Sequence, residues 1–193
     1  MKLDVETFRA RVQGALETRS RKVAEADDRV PAAVMILVVY HGDVPHLVFT
    51  KKTETVPHHK GQFSFPGGLV ETFDGSRVET ALREAREEIG LDTTAVEVLG
   101  LLDDVPTATT RFVITPVVGL CPTPPALRPD GREIERVLEV PLEHLLDRAC
   151  FREELWERGG EQHLVAFFTY GEDVIWGATA RILKEFLAVV FPG

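Results

Sequence analysis

Apolar residues recur along this chain with two periods. Val5, Phe8, Val12 and Leu16 are spaced three to four apart, which predicts an amphipathic helix over residues 4–18. A charged stretch, 19–29, leads from it as a linker. Residues 32–40 form an unbroken apolar run rich in β-branched side chains, the mark of a buried strand. His41, Gly42 and Asp43 make a turn, and 46–53 returns as the second arm of a hairpin. Further strands are expected over 96–102, 112–120, 134–140 and 163–170. A loop carrying Thr107, Thr109, Thr110 and Arg111 falls between the first two of these, and a proline-rich loop, 122–125, follows them. A short helix begins near 141. The closing helix starts near Thr179 and buries Ile182, Leu183, Phe186, Leu187 and Val190. Strands with helices on both faces predict an α/β/α sandwich with a mixed sheet.

The helix between Ser76 and Gly90 is the most informative element. Ser76 followed by Glu79 is a capping-box start, and Gly90 is a natural left-handed stop. At about 100° per residue, Val78, Leu82, Ala85 and Ile89 share one stripe, while Glu84, Glu87 and Glu88 project from nearly the opposite side. Like charges so placed repel, and Arg83, one turn before Glu87, relieves only part of the repulsion. Glu88 also lies near the negative end of the helix. Clustered carboxylate oxygens are what hard cations such as Mg²⁺ or Mn²⁺ bind. Many helices rich in Glu and Arg are only solvated faces. Here Phe65-Pro66-Gly67-Gly68 precedes the helix, and adjacent glycines let backbone approach a ligand closely.

The run from Gly68 to Leu91 resembles the signature of the Nudix hydrolases. In that pattern a glycine and a loop glutamate precede Arg-Glu-apolar-x-Glu-Glu-x-Gly-apolar. Residues 83–91 fit throughout, with Ala85 as the small apolar member. Gly68 lies one residue further from Arg83 than the general pattern has it, so the loop acid falls on Asp74. This variant resembles the coenzyme A pyrophosphatase branch, which carries an upstream signature of approximately Leu-Leu-Thr-x-Arg-Ser, then Arg, Gly and Phe-Pro-Gly-Gly. The chain reads Val48-Phe49-Thr50-Lys51-Lys52-Thr53, then Pro57, Gly61-Gln62 and Phe65-Pro66-Gly67-Gly68. Lys52 replaces one expected arginine and Pro57 the other. Stretches at 115–119, 139–142 and 176–180 are similar to later parts of the same branch.

The resemblance implies a Nudix-like α/β/α sandwich over 31–193, with 1–30 as an N-terminal helix and linker outside it. It implies metal-assisted attack of water on the diphosphate of coenzyme A or a thioester, giving adenosine 3′,5′-bisphosphate and 4′-phosphopantetheine. ADP-ribose or another nucleoside diphosphate derivative is the alternative, and a non-catalytic binding module on the same fold is a third reading. Glu84, Glu87 and Glu88 would hold Mg²⁺ or Mn²⁺, with a backbone carbonyl near Gly68. Arg83 would orient a glutamate. Glu133, ahead of the strand at 134, is the candidate distant carboxylate, with Glu84 its rival as general base. Lys51, Lys52, His59, Lys60, Gln62 and Arg111 are the candidate substrate contacts, with His58 beside them.

Composition narrows the partners. The chain has 193 residues and a net charge of −9, which argues against nucleic acid and anionic membranes. An anionic nucleotide then needs a local basic patch together with metal. Cys121 and Cys150 are expected to be buried free thiols. The charged N-terminus does not read as a signal peptide and the apolar runs are short for a bilayer, so the expectation is cytoplasmic. The N-terminal helix either covers the core or mediates a homodimer.

Overall fold

The computed structural model describes residues 2–24, 28–55, 60–107 and 111–192. Pro57, His58, His59, Thr109 and Thr110 therefore lie outside the described residues. Its elements in chain order are α1 (Val5–Glu17), β1 (Val30–His41), β2 (Val44–Lys52), β3 (Phe63–Ser64), β4 (Gly67–Leu69) and α2 (Arg77–Ile89). There follow β5 (Glu97–Leu101), β6 (Val105–Pro106), β7 (Phe112–Cys121), β8 (Ile134–Pro141) and α3 (Leu142–Leu146). The chain ends with β9 (Phe151–Arg158), β10 (Glu161–Tyr170), β11 (Asp173–Trp176) and α4 (Gly177–Val190).

The main sheet runs β3-β2-β1-β7-β5, with β4 on β1, β6 on β7 and β8 on β2. β1 and β7 are parallel and the other pairs antiparallel, so the sheet is mixed. Alternation along β1 divides the core in two. Met35, Leu37 and Val39 pack on one face with Ala81, Ala85 and Ile89 of α2. Ile36, Val38 and Tyr40 pack on the other with Phe8 and Val12 of α1 and Phe186 of α4. This three-layer arrangement is the expected sandwich. The apolar face of α1 is spent on this core, since Phe8 and Val12 are fully buried in it.

Beyond the hairpin, β1 and β2 splay apart, and the segment 63–69 fills the gap. β3 pairs with the end of β2, and β4 pairs with the start of β1 at Ala33↔Gly68 and Val34↔Gly67. A Cβ on Gly67 would lie 2.4 Å from the Ala33 carbonyl oxygen, so only glycine fits there. The double glycine is thereby anchored beside α2.

Two strands of the C-terminal part depart from expectation. β9 and β11 flank β10 in a separate three-stranded antiparallel sheet. Of these three, the sequence pattern predicts only 163–170, because β9 (FREELWER) is too charged to show an apolar face.

Candidate active site

α2 forms as its ends dictate. The Ser76 hydroxyl accepts from the Glu79 amide at 3.1 Å, the Glu79 carboxylate accepts from the Gly75 amide at 2.8 Å, and Gly90 takes φ 65°. At the other end, the amides of Arg128 and Asp130 donate to the carbonyls of Ile89 and Glu88, at 2.8 and 3.0 Å. These bonds satisfy carbonyls a helix C-terminus leaves open. They also dock the loop before β8 against the acidic end of α2. Asp130 then folds that loop, its carboxylate accepting from the amides of Arg132, Glu133 and Ile134.

The result is a cavity of about 480 Å³ lined by Glu84, Glu87, Glu88, Asp130, Arg132 and Glu133. Five of those six residues are acidic. Among the described residues, the only cations that ion-pair with the four glutamates are Arg83 and Lys52.

Arg83 is held first by Asp74, which accepts from its Nε and Nη2 at 3.1 and 3.0 Å. Asp74 also accepts from the Glu71 amide and the Thr80 hydroxyl, and Arg83 Nη2 further donates to the Leu69 carbonyl. The Arg83 hydrogen bond keeps the Asp74 carboxyl well below the usual carboxylate range, and Arg83 is correspondingly raised. Its remaining nitrogen, Nη1, reaches Glu84 at 2.7 Å and Glu87 at 3.3 Å. Gly68 leaves the space that the Glu84 carboxylate occupies, since a Cβ there would stand 2.5 Å from the Glu84 carboxyl carbon. Burial raises the Glu84 pKa, with Arg83 pulling it back.

Glu88 is buried, 5% exposed, and lies between Lys52 and the glycine turn. Lys52 Nζ donates to it at 2.6 Å and the Gly67 amide at 3.2 Å. Burial pushes the Glu88 carboxyl up to about 7, against the pull of Lys52. Burial likewise opposes the Lys52 charge, but Glu88 and Glu133 more than offset it and the lysine is raised. The same ammonium lies 3.6 Å from Glu133, which is exposed at the mouth of the cavity.

The other sequence candidates divide. Lys51 pairs with Glu135 at 3.3 Å and, with Gln62, lines a second cavity, described below. Lys60 is exposed and lines neither. Arg111 pairs with Asp28 at the start of β7, not at the carboxylate cavity. His59 lies outside the described residues. Asp130 and Arg132 were missed: the Asp130-Gly131 turn signal was there, but nothing in the sequence tied it to α2.

The donor set suits a hard divalent cation. It is oxygen-rich and it faces one cavity. Among the described residues, no three acidic, histidine or cysteine groups stand close enough to cage an ion as they are; Lys52 already supplies Glu88 with positive charge.

Comparison with known proteins agrees with this geometry. The NUDIX domain family matches residues 29–164. The chain is 35% identical over 160 residues to the uncharacterized Nudix hydrolase NudL of Photorhabdus laumondii, covering 83% of this chain and 84% of that one. It is 35% identical over 183 residues to NudL of Enterobacter sp. (strain 638), covering 95% and 93%. Among solved structures, the fold is similar to a Nudix hydrolase from M. smegmatis, RenU (TM-score 0.51, 19% identity, 60% of this chain and 73% of that one). It is similar also to a MutT/nudix family protein from Enterococcus faecalis (TM-score 0.51, 16% identity, 98% and 76%). The sequence signature, the mixed sheet flanked by helices and these matches agree: the chain belongs to the Nudix hydrolase family.

Proposed function

We propose that the chain is a divalent-metal-dependent pyrophosphohydrolase that cleaves the diphosphate of coenzyme A or its thioesters. The observation that carries this reading is an ion pair that joins two separate sequence signatures. Lys52, from the segment resembling the coenzyme A branch, contacts Glu88 of the α2 signature and approaches Glu133. A substrate recognised by the first segment meets the carboxylates of the second.

Glu84, Glu87 and Glu88 would hold Mg²⁺ or Mn²⁺, which supplies charge to offset that on the nonbridging phosphate oxygens. Arg83, fixed by Asp74, keeps Glu84 oriented. Water attacks one phosphorus, forming a new P–O bond while the bridging P–O bond breaks, and the leaving phosphate departs as an anion. Glu133, exposed at the cavity mouth, takes the water's proton. Arg132 also lines the cavity and can offer its guanidinium to phosphate oxygens.

Hydrolysis of other nucleoside diphosphate derivatives is the second reading, favoured by Pro57, which stands where the coenzyme A signature has arginine. A substrate panel separates the two. With Mg²⁺ or Mn²⁺ in ¹⁸O water, coenzyme A should yield 4′-phosphopantetheine and adenosine 3′,5′-bisphosphate, with label in one product by mass spectrometry. Turnover of ADP-ribose equal to or above that of coenzyme A would overturn the substrate assignment.

A further inference from the structure

The second cavity, about 420 Å³, shares no lining residue with the carboxylate cavity and takes no part in the chemistry above. Its walls include Trp156, Phe167 and Trp176 from the small sheet, Phe63 and Lys51 from the main one, and Asp173. Phe167 and Trp176 are cross-strand neighbours with rings only 11° from parallel, at 6.3 Å between centroids. The Trp156 ring lies 5.7 Å from both.

Trp156 is 44% exposed, a large indole surface to leave in water. It is nonetheless held in place. Its Nε1 donates to Glu154 at 2.9 Å, Glu154 accepts from Arg152 at 2.9 Å, and the Arg152 guanidinium lies 4.4 Å over the Phe167 ring. An exposed aromatic ring with a fixed orientation is a stacking platform. Asp173 is also fixed, by Arg136 at 2.7 Å, with Arg136 itself over the Phe63 ring.

We propose that this cavity binds the nucleobase of the substrate. Flat indole faces favour a flat heterocycle. The Asp173 and Glu172 carboxylates on the wall accept from an exocyclic amino group, but repel phosphate and do nothing for an acyl chain. A volume of this size is ordinary for a small-molecule site, about 300–1,000 Å³. The position also suits one substrate spanning both sites. Lys51 lines the aromatic cavity and Lys52, next in the chain, pairs with Glu88 of the carboxylate cavity, so both cavities adjoin the end of β2. A nucleotide with its base on the indoles carries its phosphates over that end. This inference rests on the pyrophosphohydrolase reading.

The chain's two tryptophans both line the cavity, so intrinsic fluorescence reports its occupancy without catalysis. In EDTA, adenosine 3′,5′-bisphosphate should quench that emission saturably, and 4′-phosphopantetheine should not. Trp156→Ala should raise KM for coenzyme A about tenfold or more with kcat little changed, and Trp156→Phe should recover most of the loss. Saturable quenching without hydrolysis of any diphosphate would leave the base site standing and remove the enzymatic reading. Hydrolysis of coenzyme A with no quenching by the bisphosphate, or stronger quenching by 4′-phosphopantetheine, would overturn the base site alone.

Discussion

Two acidic clusters in this chain look alike in composition and differ in what they leave unmet. Asp103 and Asp104 sit where the segment after α1 crosses the loop between β5 and β6. Arg19 pairs with Asp103 and Arg21 with Asp104. The amides of Lys22 and Ala24 donate to the two carboxylates at 2.9 and 3.0 Å, and the Thr115 hydroxyl donates to Asp104 at 2.6 Å. The chain satisfies these acids with its own donors, and their work is to tie the N-terminal segment to the sheet. On α2 and its neighbouring loop, Glu84, Glu87, Glu88 and Glu133 draw on Lys52 and an Arg83 already engaged by Asp74. Four carboxylates that share two cations repel one another. On the reading proposed above, the second cluster takes a further cation from outside, and the first does not.

The comparison is broken most readily at Glu88. Glu88→Gln should lower kcat by about a thousandfold or more, each tenfold being about 1.4 kcal/mol of barrier, while circular dichroism shows an intact fold. Near-normal turnover would remove this carboxylate from the chemistry. Arg83→Lys should cost about ten- to a hundredfold in kcat, because an ammonium cannot hold Asp74 through two nitrogens and Glu84 through a third. A variant at full activity would show that the orientation of Glu84 is unimportant. Asp104→Ala should do the reverse. Leaving Arg21 without its partner should cost about 2 kcal/mol in urea unfolding, with kcat per folded molecule unchanged. A loss of kcat at unchanged stability would erase the distinction between the clusters. Arg132→Ala should have the smallest effect, a rise in KM of about three- to tenfold from loss of a charge-assisted phosphate contact. An unchanged KM would leave Arg132 a surface residue.

Much of this was legible in the residues because it is written locally. The caps of α2 at Ser76 and Gly90, its apolar stripe and its acidic face follow from spacing within one segment, and the buried run of β1 announces itself by composition. What could not be read depends on distant segments meeting. Lys52 and Glu88 lie 36 positions apart, and nothing in either neighbourhood shows that they touch at 2.6 Å. Asp130 acts through backbone amides, so its role has no hydrophobic period to reveal it. β3 and β4 are two and three residues long, below the length at which alternation can be seen. Arg111 joins the candidate substrate contacts for its charge and its place in the chain, and it pairs with the exposed Asp28.

Manganese binding, followed by the electron paramagnetic resonance of free Mn²⁺, tests the central claim most directly. The intact protein should take up Mn²⁺ saturably. Glu84→Gln and Glu88→Gln should each weaken that binding by about tenfold or more, as loss of a carboxylate ligand does, while Asp104→Asn leaves it unchanged. Uptake indifferent to Glu84 and Glu88, or no uptake at all, would contradict the account.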